Sequence, residues 1–179
     1  SVRGSAEFVR RDLTVVTAML AGSPVPPQSL HEASRSAAIQ WIASPRTSVA
    51  LGWRTDTFVS DATISTNWPS LLRTTTVPLT VRHAWNDRFF TKVTAHDVTQ
   101  KLERSAPALP LASGHEHFQV MDLSFGYRLP QRHGVVSLDV YNLFDRSFRF
   151  QDDNFRRSFY RPAAFIPDRS VFVRASLQF

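Results

Sequence analysis

The feature that most constrains the fold is an alternation of apolar and polar residues with a period of two, repeated along most of the chain. Over residues 47–58, Val49, Leu51 and Trp53 fall on one parity and Gly52, Arg54 and Asp56 on the other. Val77, Leu79 and Val81 oppose Thr76, Thr80 and Arg82 in the same way. Met121, Leu123, Phe125 and Tyr127 alternate with Asp122, Ser124, Gly126 and Arg128, and Val136, Leu138 and Val140 alternate with Ser137, Asp139 and Tyr141. The last segment sets Val171, Val173, Ala175, Leu177 and Phe179 against Phe172, Arg174, Ser176 and Gln178. A pleated strand sends successive side chains to opposite faces, so the pattern predicts an all-β chain whose strands each carry one apolar and one polar face.

The connections add a second constraint. Those at Arg10-Arg11-Asp12, Ser44-Pro45-Arg46, 85–88 and 129–134 read as tight, whereas 22–30, 61–70, 101–116 and 144–169 are long and polar. Short turns at one end and long loops at the other are the wiring of an antiparallel transmembrane β-barrel meander. A membrane helix is excluded, because no stretch approaches the roughly 18 uninterrupted apolar residues it requires. Disorder is excluded as well, because 42% of the residues are apolar. Trp41, Trp85, Phe89, Tyr127 and Phe179 all fall near the short-turn ends, where a barrel carries an interfacial girdle of amphipathic rings.

The chain carries a net charge of +6, with 21 Lys and Arg in all, nearly all of them Arg. The arginines are scattered singly inside alternating segments rather than clustered, which argues against nucleic acid as a partner. There is no cysteine, so neither disulfides nor thiol chemistry enter. On a barrel the polar face lines the lumen, and the residues expected there are Arg35, Arg54, Asp56, Arg82, Lys92, Asp122, Arg128, Asp139 and Arg174. Neighbouring strands can group Arg128 with Asp139, or Arg54 with Arg82 screened by Asp56. The set reads either as a wall braced by charge pairs or as a mildly cationic passage favouring anionic solutes.

The long connection 144–169 holds Arg146, Arg149, Arg156, Arg157 and Arg161 among Phe148, Phe150, Phe155, Phe159 and Tyr160. Guanidinium groups bind phosphate bidentately, so these arginines are candidate contacts for lipopolysaccharide or an anionic ligand. The alternative is a loop folded on its own rings and salt bridges. His115-Glu116-His117 places two imidazoles on one strand face without a third ligand, and Asp152-Asp153-Asn154 lacks the Gly and Glu of a calcium loop. No nucleophile elbow or phosphate loop is present, so neither an enzyme, a cofactor nor a metal centre is expected.

The C-terminal end carries a resemblance. Val140-Tyr141-Asn142-Leu143-Phe144-Asp145-Arg146, a long loop, then Pro167-Asp168-Arg169-Ser170-Val171 and an alternating strand ending in Phe179 resemble the last two strands of TonB-dependent outer-membrane receptors. The match spans roughly the last forty residues. The resemblance implies that Asn142, Leu143, Phe144 and Asp145 close the penultimate strand and that Pro167 and Arg169 open the final one. It further implies that Val171, Val173, Ala175, Leu177 and Phe179 form the tail read by the barrel-assembly machinery, with Arg174 standing where a Gly is often seen.

From the same resemblance follow a bacterial outer-membrane location, uptake of a scarce or large solute, and three partners. These are lipid with lipopolysaccharide, the assembly machinery and an inner-membrane energy-coupling complex reached through parts outside this chain. No energy-coupling box or plug pattern is found. Phe148-Arg149-Phe150-Gln151-Asp152 is also similar to outer-membrane barrels preceded by periplasmic tetratricopeptide helices, which implies polymer export instead. A soluble carbohydrate-binding β-sandwich is the third reading. Counting strands from turn to loop gives about nine, the first near 2–9 running inward from outside. That odd count predicts that residues 1–179 are the C-terminal strands of a larger barrel. A competing count starts at Asp12 and predicts a closed barrel of about eight.

Overall fold

The computed structural model describes residues 1–15, 28–60, 69–104, 113–152 and 164–177. Eight strands follow one another: β1 (Val2–Val15), β2 (Gln28–Ser44), β3 (Thr47–Ser60), β4 (Pro69–Ala84), β5 (Phe89–Arg104), β6 (Gly114–Arg128), β7 (Gly134–Tyr141) and β8 (Ser170–Leu177). They form one antiparallel meander in sequence order, an open sheet with β1 and β8 at its edges rather than a closed barrel. Val2 pairs with Trp41 and Leu177 with Gly134, so β1 starts and β8 finishes at the end of the sheet that holds the short turns.

Two expectations are corrected here. Arg10, Arg11 and Asp12 do not turn the chain; they continue β1 and pair with Ala33, Glu32 and His31. Arg10 and Asp12 project to the same face and meet at 3.0 Å, while Asp12 reaches His31 at 2.7 Å. With no Gly, Pro or Asn to favour a turn, the ladder continues. The described strands therefore number eight rather than nine, and the first does not run inward from the long-loop end.

At the short-turn end, Pro45 and Arg46 join β2 to β3, and the Asn86 side-chain oxygen accepts the backbone N–H groups of Arg88 and Phe89, both at 2.8 Å, to fold the β4–β5 turn. A 3-10 turn over Pro130–Arg132 joins β6 to β7. Gly134 follows it with φ at +143°, where an added Cβ would strike the Ser176 carbonyl of β8. In mid-sheet Pro78, which has no N–H to give the ladder, fits against Gly52, where a Cβ would come within 3.0 Å of the ring.

The register sorts the side chains into two faces. One, here the covered face, carries Leu30, Phe58, Leu72, Val98, Leu102, Phe118 and Val120, all buried. The connection after β7 lies over part of it, stacking Phe148 on Phe118 at 4.1 Å and packing Phe150 and Phe165 beside them. The open face carries Ile39, Trp41, Leu51, Trp53, Leu79, Val81, Phe125 and Leu138, with Leu51, Leu79 and Leu138 each more than 40% exposed. Of the exposed large apolar side chains described, only Ile42, Trp85, Phe144 and Phe172 lie elsewhere.

Polarity reverses between the two ends of the sheet. On the open face the short-turn half is apolar, while the long-loop half holds Asp97 with His117 and Gln119, the Thr55–Thr75 pair and Lys101 with Glu103. On the covered face the buried apolar groups occupy the long-loop half. Its short-turn half carries Arg82, Lys92, Ser124, Arg128, Ser137, Asp139 and Arg174. The reversal is not complete: Phe90 and Phe172 stand among the charges of the covered face, and Phe8 and Val59 stay exposed in the long-loop half of the open face.

Candidate functional site

The polar half of the covered face and the connection that borders it form the candidate site. Asn142 follows β7 with φ at 50° and is 2% exposed. Its side-chain oxygen accepts the Arg146 N–H at 2.9 Å, while its side-chain nitrogen donates to the carbonyls of Arg146 at 2.8 Å and Pro167 at 2.9 Å. Asp145, also in the left-handed region at φ 54°, accepts the Arg169 N–H at 2.8 Å. The two pieces of the C-terminal motif thus clasp each other, closing the base of the long connection just before β8. A single short polar side chain serves both ends, because Asn tolerates positive φ and carries both donor and acceptor.

Further in, Gln100 on β5 holds residue 151. The Gln151 N–H donates to Gln100 Oε1 at 2.8 Å, and Gln100 Nε2 donates to the Gln151 carbonyl at 3.1 Å and to Thr74 Oγ1 at 2.8 Å. Between residues 164–166, the middle of β6, the end of β7 and the start of β8 lies a cavity of about 450 Å³, lined by Asp122, Tyr141, Asn142, Phe165, Phe172 and Arg174 among others. His96 lies 3.3 Å from Asp122 through Nε2, edge-on to Phe165, and its buried Nδ1 has no hydrogen-bond partner.

The charged residues expected in a lumen are brought together with one exception. Arg54, Asp56, Arg82, Lys92, Asp122, Arg128, Asp139 and Arg174 share the covered face. Arg35 does not; it shares the open face with Ile39 and Trp41, and its guanidinium stands 5.4 Å from the Phe8 ring centroid. Its parity along β2 matches those apolar neighbours, a signal present in the sequence.

The expected pairings also change. Arg54 binds Asp56 at 2.7 Å, whereas Arg82 is six residues further along the ladder, opposite Lys92. Asp139 is buried, accepts Ser124 Oγ at 2.5 Å and Ser137 Oγ at 3.1 Å, and faces Arg174 Nε at 3.6 Å rather than Arg128. Arg174 also donates to the Tyr141 hydroxyl at 3.2 Å. Register, which alternation within one strand leaves open, decides these partners.

Arg128 turns instead to Phe90. The guanidinium carbons of Arg82 and Arg128 lie 4.6 and 5.4 Å from the centroid of that one ring, and Arg128 donates to the Asp87 carbonyl at 3.0 Å. The ring lies over Gly126, where any Cβ would collide with it. Phe90 and Gln100 were not singled out by sequence reasoning; only the lone Gly126 in an apolar-polar alternation hints at a close approach.

Of the loop arginines, Arg149 reaches Glu116 at 3.4 Å, and Arg146 is held through its backbone by Asn142. Arg156, Arg157, Arg161 and Phe179 lie outside the described residues. Val171, Val173, Ala175 and Leu177 share the open face of β8, the first, second and last being strongly exposed. His117 is engaged with Asp97 at 3.0 Å. Among the described residues no group of three His, Asp or Glu side chains stands ready for a metal ion. Neither a family model, nor a curated protein, nor a solved structure matches this chain.

Proposed function

We propose that this chain is a membrane-embedded segment of an outer-membrane β-barrel transporter or receptor. On this reading the open face meets lipid, the covered face borders the solute path, and the connection after β7 narrows that path. The supporting observation is the reversal of polarity along the sheet. In a water-soluble sheet the apolar face is the one that neighbouring elements cover. Here the connection covers apolar groups in the long-loop half of the opposite face, while the row of Ile39, Leu51, Leu79, Phe125 and Leu138 in the short-turn half of the open face stays exposed, with no covering element among the described residues.

Along β5 that band runs from the level of Asp97 to Phe89, eight residues or roughly 26 Å at about 3.3 Å per residue. Tilted by about 35–45° as in an outer-membrane barrel, that length spans roughly 20 Å of height, against an apolar band about 25 Å tall. The Phe89 ring lies tilted 4.9 Å from Tyr127 at the band's short-turn boundary, and Trp85 lies in the adjoining turn, in keeping with an interfacial girdle. The resemblance of the C-terminal motif to TonB-dependent receptors favours uptake over export, with the assembly machinery and lipopolysaccharide as partners.

The absence of native cysteine makes the reading directly testable. Single Leu51→Cys, Leu123→Cys, Thr80→Cys and Ser137→Cys variants are reconstituted in lipid and exposed to a water-soluble maleimide. Labelling of positions 80 and 137 with protection of 51 and 123 is the expected result. Equal labelling of both faces, with a monomer soluble in the absence of detergent, replaces this function with a soluble sheet protein.

A further inference from the structure

We propose that Arg82, Lys92 and Arg128 form a binding site for the phosphate group of a phosphorylated solute, at the short-turn end of the covered face. The site rests on the reading of that face as the solute side, and it gives that side a ligand chemistry.

Three strands supply the cations. Arg82 on β4 lies directly opposite Lys92 on β5, and the next residue across, Ser124 on β6, is buried beneath the same row. Arg128 lies further along β6 and converges on the Phe90 ring that Arg82 also meets. Like charges set directly opposite each other destabilise a sheet, so a purely structural row would interpose a carboxylate. None is supplied: among the described residues no acid pairs with any of the three. The nearest acid in the row, Asp139, is already engaged by Ser124, Ser137 and Arg174. Arg54 and Arg174 on the same face do have carboxylate partners.

Arg82 and Arg128 are also held in place before any ligand arrives. Phe90 offers its ring to both guanidinium groups, and Gly126 provides the room for that ring. Side chains ordered in advance lose less freedom on binding. Arg128 spends one N–H on the Asp87 carbonyl, leaving the rest of its fork available. Cations approaching from three neighbouring strands suit a tetrahedral group whose oxygens can be shared among them, whereas a single carboxylate is satisfied by one arginine. The face is the one away from the apolar band, so the phosphate belongs to a solute rather than to a lipid headgroup.

The test is calorimetric titration of the full chain in detergent with inorganic phosphate at low salt. Saturable binding is expected, weakened roughly tenfold or more in Arg82→Gln, in Lys92→Gln and in Arg128→Gln, and unchanged in Arg54→Gln on the same face. Arg82→Lys and Arg128→Lys keep the charge and control for folding; they are expected to bind phosphate with intermediate affinity and to retain the strand content of the parent by circular dichroism. A parent protein of intact strand content that does not bind phosphate overturns the proposal. So does an Arg82→Gln/Arg128→Gln double variant that binds as tightly as the parent. Phosphate binding that depends on these cations while the cysteine variants label on both faces leaves the site standing and removes the membrane reading. Protection of the open face without phosphate binding removes the site alone.

Discussion

Gln100 and Gln151 are joined in both directions, side chain to backbone: Oε1 of Gln100 accepts the Gln151 N–H at 2.8 Å and its Nε2 donates to the Gln151 carbonyl at 3.1 Å. The side chain therefore acts like one rung of a β-ladder, fixing an irregular segment against β5. Gln100 is 3% exposed, so in the folded chain its amide and the Gln151 backbone groups are satisfied by one another rather than by water. Gln100→Ala is expected to cost roughly 1–3 kcal/mol and to loosen residues 147–152. A lower urea midpoint with faster tryptic cleavage after Arg149 checks this, and an unchanged cleavage rate counts against the segment being held there.

Asn142 combines positive φ with hydrogen bonds to both ends of the long connection. Asn142→Ala loses the bonds and puts Cβ in a region that alanine disfavours, an expected loss of about 2–4 kcal/mol. Asn142→Gly loses the bonds but relieves the φ penalty, so it is expected to be the milder change. Comparing the two unfolding midpoints separates clasp from conformation; equal losses would assign the whole effect to the bonds.

Gly126 and Phe90 are complementary, ring over missing side chain. Gly126→Ala forces the ring out of its seat, with an expected cost of about 1–3 kcal/mol. Phe90→Leu in the same chain removes most of the obstruction, so the double variant should lose less than the sum of the singles. A double-mutant cycle measures that coupling, and strict additivity would show that the collision is relieved elsewhere.

Leu123 lies within the apolar band of the open face, whereas Thr99 lies beyond it, next to His117. If lipid covers the band, Leu123→Arg is expected to cost about 2–4 kcal/mol and Thr99→Arg close to nothing. Heat-modifiable gel migration of the two variants after reconstitution reads the difference. Equal migration of both with the parent would mean that no lipid boundary lies between those positions.

Sequence periodicity was sufficient to identify strands, because a two-residue repeat is a property of each segment by itself. Three of the four short connections were legible too, at 45–46, 85–88 and 129–133, and they lie at one end of the sheet. The clasp at Asn142 and Asp145 was visible only as a motif, without its reason. Three matters needed the tertiary structure. Arg10, Arg11 and Asp12 looked like a turn, yet the strand continues through them, with Asp12 paired to Arg10 and to His31. Arg35 was assigned by its polarity, yet it follows the parity of Ile39 and Trp41, because the backbone places residues on faces without regard to charge. The pairing of Asp139 with Arg174, and the convergence of Arg82 and Arg128 on Phe90, depend on how far each strand slides along the next. That offset is set by the whole ladder together, so local alternation specifies which residues share a strand face, and only the assembled sheet decides which of them meet.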